Sequence, residues 1–316
     1  MFFKIKIIYK EKLILLSILI ILIFFSLKSI LKTSRKKQEI KVALCTMGKN
    51  ENLYIKEFIE YYIKLDINHI FIYDDDDPGE ENISKVIGKA YENKVTVFDT
   101  KSLSINHLAD AFNHCYKNNI KIFDWFIMVD MDEFVYIVND TLKGYLTNKI
   151  FDKCDFIKLH WVLTTDNNLI HYDPRPLFER FKPPYIKSEL VKSIIRGNIS
   201  DLRYWVHSPN FSPKRNVTCT NEGKIIYYKN INFQSISPIN INKAYIIHFR
   251  YKSTEELVNK IKRGYRNWYK NEIKQYLFML VKEYFIINNM TLEKYNFIEK
   301  ELNLNLSEYK IKLNKK

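Results

Sequence analysis

The chain has 316 residues, 47% of them hydrophobic, and a formal net charge of +14. That length and apolar content exclude a disordered chain and suffice for one large domain or two small ones. The positive charge does not identify a nucleic-acid partner: Lys, Asn, Ile, Tyr and Phe dominate while Arg is scarce, as AT-rich coding produces, and no patch joins clustered Arg to interleaved aromatics.

The first element is apolar. Residues 13–27, LILLSILIILIFFSL, contain Ser17 as their one polar residue, and the run resumes past Lys28 to Leu31. With Lys28 snorkelling, residues 13–31 reach the lower limit of about 17 residues for a membrane-spanning helix. No small-residue cleavage site follows, since the first alanine is Ala43, so the run reads as an uncleaved signal-anchor after a short tail at 1–12. Lysines on both sides leave its orientation open. Seven N-x-S/T sequons, at Asn82, Asn139, Asn198, Asn210, Asn216, Asn289 and Asn305, lean toward a luminal catalytic domain. The expected location is a single-pass membrane protein: Golgi or ER with a luminal domain in a eukaryote, otherwise the inner membrane with a cytoplasmic one.

A charged linker at 32–40 leads into alternating strands and helices. Strands are predicted at 42–45, 69–73, 95–98 and 125–129, and helices at 51–65, with Asn50 as N-cap, 83–93 and 105–118. Such alternation builds βαβ units on a parallel sheet, whose ligands sit beyond the carboxyl ends of the strands. Residues 156–164 and 244–249 read as further strands, and 172–212 as loops around short elements. Ser253-Thr254-Glu255-Glu256 matches a capping box opening a long helix to about Asn288. Cys45, Cys115, Cys154 and Cys219 show no metal-ligand spacing, which disfavours a structural zinc and leaves their pairing open.

Two acidic groups follow buried strands. In a strand, residues two apart share a face, so Asp130 and Asp132 are expected to converge while Met131 and Glu133 point away. Paired carboxylates repel unless a cation or donors compensate them, and oxygen ligands suit Mg²⁺ or Mn²⁺. In Asp74-Asp75-Asp76-Asp77-Pro78-Gly79, Asp74 is the residue placed to face a ligand and the others read as a solvated turn.

Several stretches in order, Val42-Ala43-Leu44-Cys45-Thr46-Met47-Gly48-Lys49-Asn50-Glu51, Glu57-Phe58-Ile59-Glu60-Tyr61-Tyr62, Ile70-Phe71-Ile72-Tyr73-Asp74 and Asp124-Trp125 through Asp130-Met131-Asp132-Glu133-Phe134, resemble the family 92 and family 2-like glycosyltransferases of the GT-A fold. The resemblance covers 41–264, followed by a helical C-terminal extension at 265–316. It implies a mostly parallel α/β sheet and a hexosyltransferase that moves a sugar from a nucleotide-sugar donor to a glycan, glycoprotein or lipid-linked acceptor, with bound Mn²⁺ or Mg²⁺.

On that analogy Asp130 and Asp132 hold the metal with His248, and Thr46, Glu51, Asp74, Asn113 and Asp130 hold the donor. Lys260 and Arg263 either face a diphosphate or lie on a solvated helix face, the second being the simpler reading. An inverting transfer needs a general base; Asp166 is the first candidate and Glu179 the second. Lys192, Arg196 and His207 match basic positions of the family without an assigned role. The family commonly has Gln where this chain has His107, a departure that bears on donor preference. A metal-dependent nucleotidyl or phosphoryl transferase would need a Gly-rich phosphate loop, which seven glycines do not supply. A non-catalytic carbohydrate-binding protein on the same fold is the other alternative.

Overall fold

The computed structural model describes residues 20, 21, 23, 39–205, 207, 209–211, 217–226, 235–264 and 270–309. It divides into two units, Met1–Glu39 and Ile40–Lys316. The span predicted at 13–31 lies outside the described residues apart from Ile20, Ile21 and Ile23, which are helical and exposed. Among the described residues no helix is long and apolar enough to cross a membrane.

The second unit opens with β1 (Val42–Gly48), α1 (Ile55–Lys64), β2 (His69–Asp74), α2 (Ile83–Ile87), β3 (Val95–Asp99), α3 (Leu108–Asn119) and β4 (Trp125–Met128). β1 pairs in parallel with β2 and β4, and β2 with β3, as the alternation predicts. α1 buries Ile55, Phe58, Ile59 and Tyr62, the i, i+3, i+4, i+7 stripe of a helix lying on a sheet. Successive β1 residues face opposite layers: Val42 and Leu44 join the α1 core, Ala43 and Cys45 the α3 core. Asn50 is not the N-cap. It adopts a left-handed φ of 51° and the helix starts after Tyr54. α2 stops early because Gly88, at φ 56°, takes a conformation other residues resist.

The remaining elements are β5 (Glu133–Ile137), α4 (Leu142–Leu146), β6 (Phe156–Leu163), α5 (Leu177–Arg180), β7 (Ile186–Arg196), β8 (Arg203–Tyr204), β9 (Pro209–Phe211), β10 (Thr218–Thr220), β11 (Ile225–Ile226) and β12 (Ala244–His248). Among the described residues ten strands form one sheet in the order β11-β10-β6-β7-β4-β1-β2-β3, with β12 beside β6 and β5 beside β12. The sheet is mixed rather than mostly parallel, because β7 runs antiparallel to both of its neighbours, β4 and β6, and β12 antiparallel to β5. β7 lies in the stretch read as loops. Its outer half is charged and largely exposed and its inner half buried, so no single period marks it.

α6 (Thr254–Arg263) carries the expected capping box, Ser253 and Glu256 bonding each other's backbone. The long helix predicted to Asn288 is interrupted: Gly264 takes φ 62°, and α7 (Lys270–Ile287) and α8 (Leu292–Leu302) follow. Leu257, Val258 and Ile261 of α6 pack with Leu280, Val281 and Tyr284 of α7 and Ile298 of α8 in a separate apolar cluster.

Disulfides join Cys45 to Cys115, tying β1 to α3, and Cys154 to Cys219, tying the approach to β6 to β10. They close sequence separations of 70 and 65 residues. By the chain-entropy account each loop of that size contributes about 4 kcal/mol.

Candidate active site

At the carboxyl ends of β1, β4 and β12 lies a cleft of about 410 Å³. Met47, Gly48, Lys49 and Glu51 form one side; Asp130, Met131 and Asp132 follow β4; His248 and Arg250 come from β12; Lys260 and Arg263 come from α6. Asn106, His107, Trp161, His207 and Asp75 complete the lining with Leu108 and Gly264. A Cβ on Gly48 would meet the Met131 side chain, with Cε at 2.8 Å, so a larger residue there would require the end of that flexible side chain to shift.

The acids sit where backbone pairing brings them. β4 ends at Met128, and the chain turns through 129–132 before β5 begins at Glu133. β5 pairs antiparallel with β12, placing His248 opposite Glu133, and the Phe249 N–H donates to the Asp132 carbonyl at 2.9 Å. His248 Nε2 is therefore 3.3 Å from Asp132 Oδ1, while Lys260 Nζ is 2.7 Å from Asp132 Oδ2.

Because residues 129–132 are a turn, strand alternation does not hold there: Met131, expected to point away, lines the cleft, while Glu133 stays outside the lining as expected. Glu133 Oε2 accepts the Asp130 N–H at 2.8 Å and lies 3.6 Å from Lys192 Nζ, which is itself 3.1 Å from Asp130 Oδ2. One buried ammonium thus faces two carboxyl groups.

Burial and charge set their protonation. Burial pushes the Glu133 carboxyl well above the usual range, with Lys192 only partly opposing it. Burial also works to raise Asp132, but the Lys260 charge, and then His248 by its charge when protonated and by its hydrogen bond, prevail and hold it well below the usual value. Lys192 is held above an ordinary lysine, since Asp130 and Glu133 outweigh its burial. Burial lowers His248 despite Asp132, leaving a neutral imidazole at neutral pH, the form that binds metals. His207 is pushed down to about 3 by burial and then Lys192. Its Nδ1–H donates to the Val191 carbonyl at 3.0 Å.

The predicted residues divide. Glu51, Asp130, Asp132 and His248 line the cleft. Glu51 is buried and paired with Arg263 Nη1 at 2.7 Å and Lys252 Nζ at 3.5 Å. Thr46 is fully buried in β1 behind the lining, its hydroxyl lacking a hydrogen-bond partner. Asp74 organises its own turn, Oδ2 accepting the Ile83 N–H at 2.8 Å and Oδ1 the Asp76 N–H at 3.1 Å, and it is Asp75 that lines the cleft. The Asn113 amide bonds both backbone groups of Tyr204 and the Ala109 carbonyl.

Asp166 and Glu179 are not among the lining residues. Asp166 is buried, with Lys294 Nζ and the Tyr284 hydroxyl each 2.5 Å from Oδ2, and Glu179 is exposed on α5. Asn106, Trp161 and Arg250 were not singled out from sequence. Two of them were accessible to the strand-end rule: Asn106 lies between β3 and α3, and Arg250 two residues beyond β12.

Among the described residues no three His, Cys, Asp or Glu donors converge on one point. Asp132 and His248 nonetheless form a usable pair, since two adjacent ligands of an octahedral ion at about 2.1 Å lie about 3 Å apart. Mg²⁺-type sites in nucleotide enzymes commonly use one or two protein ligands and take the rest from phosphate and water. The residues present fit that kind of centre.

The sequence profile of glycosyltransferase family 92 matches residues 38–266. A glycosyltransferase family 92 protein of Ricinus communis is 24% identical over 103 residues, 33% of this chain and 18% of the relative. One of Oryza sativa subsp. japonica is 24% identical over 114 residues, 36% of this chain and 19% of the relative. The matched stretch thus spans under a fifth of each relative's length.

Proposed function

Because the chain belongs to glycosyltransferase family 92, we propose that its cleft takes a nucleotide-sugar donor and transfers the sugar, a hexose, to a hydroxyl of a glycan, glycoprotein or lipid-linked acceptor on a GT-A-type scaffold. One observation carries this reading: Asp132 and His248 meet at 3.3 Å beside three cations, Arg250, Lys260 and Arg263, at the carboxyl edge of the sheet. A carboxylate and a neutral imidazole next to fixed positive charge suit a diphosphate leaving group and its counter-ion.

Asp132 and His248 would hold Mn²⁺ or Mg²⁺, with Asp130 oriented beside them by Lys192. Bound there, the ion supplies Lewis-acid stabilisation of the departing diphosphate. Arg263, fixed by Glu51, and Arg250, 2.9 Å from Glu283 Oε2, keep their charges at the cleft wall. Asn106, His107 and Asp75 offer hydrogen-bonding groups for the nucleoside, and Trp161 and His207 an aromatic wall for a sugar.

The apolar run at 13–31 would anchor the chain in a membrane. Two disulfides favour an oxidising compartment for the domain, in keeping with a luminal orientation in the Golgi or ER. Calorimetric titration of the chain with uridine, guanosine, adenosine and cytidine diphosphates in MnCl₂ tests the donor reading. One nucleotide is expected to bind, with affinity reduced in Arg263→Met; absence of binding by all four refutes it.

A further inference from the structure

Asp132 carries two partners on its two oxygens, an imidazole and an ammonium. It is 5% exposed, so neither partner is replaced by bulk water. His248 Nε2 stands at Oδ1 and Lys260 Nζ, at 2.7 Å, on Oδ2. Lys260 has a further acceptor, the Arg250 carbonyl at 3.0 Å, and its side chain is 10% exposed where it lines the cleft.

The other cations of this wall are held differently. Arg263 pairs with Glu51 and donates to the Lys49 carbonyl at 2.5 Å; Arg250 pairs with Glu283. Their carboxylate partners are not the acid that would take a metal ion. Lys260 is neutralised by that acid.

A divalent cation and an ammonium cannot share one buried carboxylate without strong mutual repulsion, which a low local dielectric amplifies. Metal at Asp132 therefore weakens the hold of Oδ2 on Lys260. The flexible four-carbon stem of a lysine lets the ammonium move while its Cα stays on the helix. The polar surface it lines is the one that would receive the diphosphate.

We propose that Lys260 is an exchangeable counter-cation, neutralising Asp132 in the unloaded cleft and transferring to diphosphate oxygens when a divalent cation takes Asp132. The exchange rests on the donor reading above and adds to it a competition that the reading itself does not require. It makes opposite demands on the two ligands: Lys260 weakens metal binding by occupying Asp132 and strengthens diphosphate binding by contacting it.

The test titrates the full chain with MnCl₂ alone, followed by the electron paramagnetic resonance of unbound Mn²⁺, and with manganese pyrophosphate, followed by calorimetry. Lys260→Met is expected to bind Mn²⁺ alone about tenfold tighter than wild type and manganese pyrophosphate about tenfold more weakly, the scale of one charge-assisted contact. Lys260→Arg, which keeps the charge, is expected to remain near wild type for Mn²⁺. The gain in Mn²⁺ affinity must vanish in an Asp132→Asn background, which excludes a site elsewhere.

Lys260→Gln keeps a donor for the Arg250 carbonyl and serves as a second variant should Lys260→Met misfold. Unchanged affinity for either probe in Lys260→Met and Lys260→Gln overturns the exchange and leaves the donor reading standing. Failure of wild type and all variants to bind either probe at millimolar concentration overturns both.

Discussion

Arg180→Met should destabilise the domain by about 3 kcal/mol, because it strands a buried carboxylate. Arg180 on α5 is 1% exposed, and its Nη1 and Nη2 donate to Glu256 on α6 at 2.8 and 3.3 Å. Breaking a buried ion pair from one side costs about 3–5 kcal/mol. The lower end applies, since Glu256 keeps the Tyr54 hydroxyl and the Ser253 N–H at 3.0 Å as donors. The guanidinium also lies 4.8 Å from the Phe181 ring centroid, and that contact is lost as well.

For a domain of this size about 1 kcal/mol moves the thermal midpoint by about 2 °C, so a drop of about 6 °C is expected in a calorimetric melt. Arg180→Met with Glu256→Gln should recover at least half of it, since the second change removes the unpaired charge. The exposed pair of Arg175 and Asp173, 2.6 Å apart, is the control: Arg175→Met should leave the midpoint in place. A drop under about 2 °C for Arg180→Met, or a double variant less stable than the single one, would refute the reasoning. The consequence reaches the cleft, because this pair braces the helix that carries Lys260 and Arg263.

Burial pushes the Lys158 ammonium down to about 7 from an ordinary 10.5. Between those values the unfolded chain binds more protons than the folded one, so stability rises with pH there, by at most about 1.4 kcal/mol per unit. Lys158→Met should flatten urea midpoints measured from pH 7 to 9.5; an unaltered slope would show that Lys158 stays charged when folded. With Cys45, Cys115, Cys154 and Cys219 all paired, the denatured, unreduced chain should show no thiol reactive toward Ellman's reagent. Cys45→Ala with Cys115→Ala should lower stability by about 4 kcal/mol in urea, and an unchanged midpoint would contradict a structural role for that bridge.

The first half of the fold was legible because short apolar runs bounded by turn residues mark buried parallel strands, and 42–45, 69–73, 95–98 and 125–129 are such runs. β5 and β7 were hidden by their charges. Glu133 opens β5 fully buried, and Lys192 lies in β7 with its side chain buried, each made tolerable by partners that only the assembled sheet supplies. A charged residue inside an apolar run reads as a surface until its counter-charge is known.

The site was half legible for a related reason. Strand-end logic found Asp130 and Asp132 and the family resemblance supplied His248, but the chain stops being a strand after Met128, so alternation misjudged Met131, which lines the cleft while Glu133 does not. Asp74 and Asp75 exchanged places for a different reason: Asp74, the last residue of β2, turns its carboxylate onto the N–H groups of its own loop, and Asp75 lines the cleft. Lys260 read as solvated because its partner lies 128 residues away in the chain.

The most direct measurement is nucleoside diphosphate release from a panel of nucleotide sugars with Mn²⁺, comparing wild type with Asp132→Asn. The account predicts turnover of one donor by wild type and a loss of at least about 100-fold in the variant, the scale of removing one group that stabilises developing charge. Undiminished turnover in a folded Asp132→Asn protein, or no turnover of any donor by wild type, would contradict it.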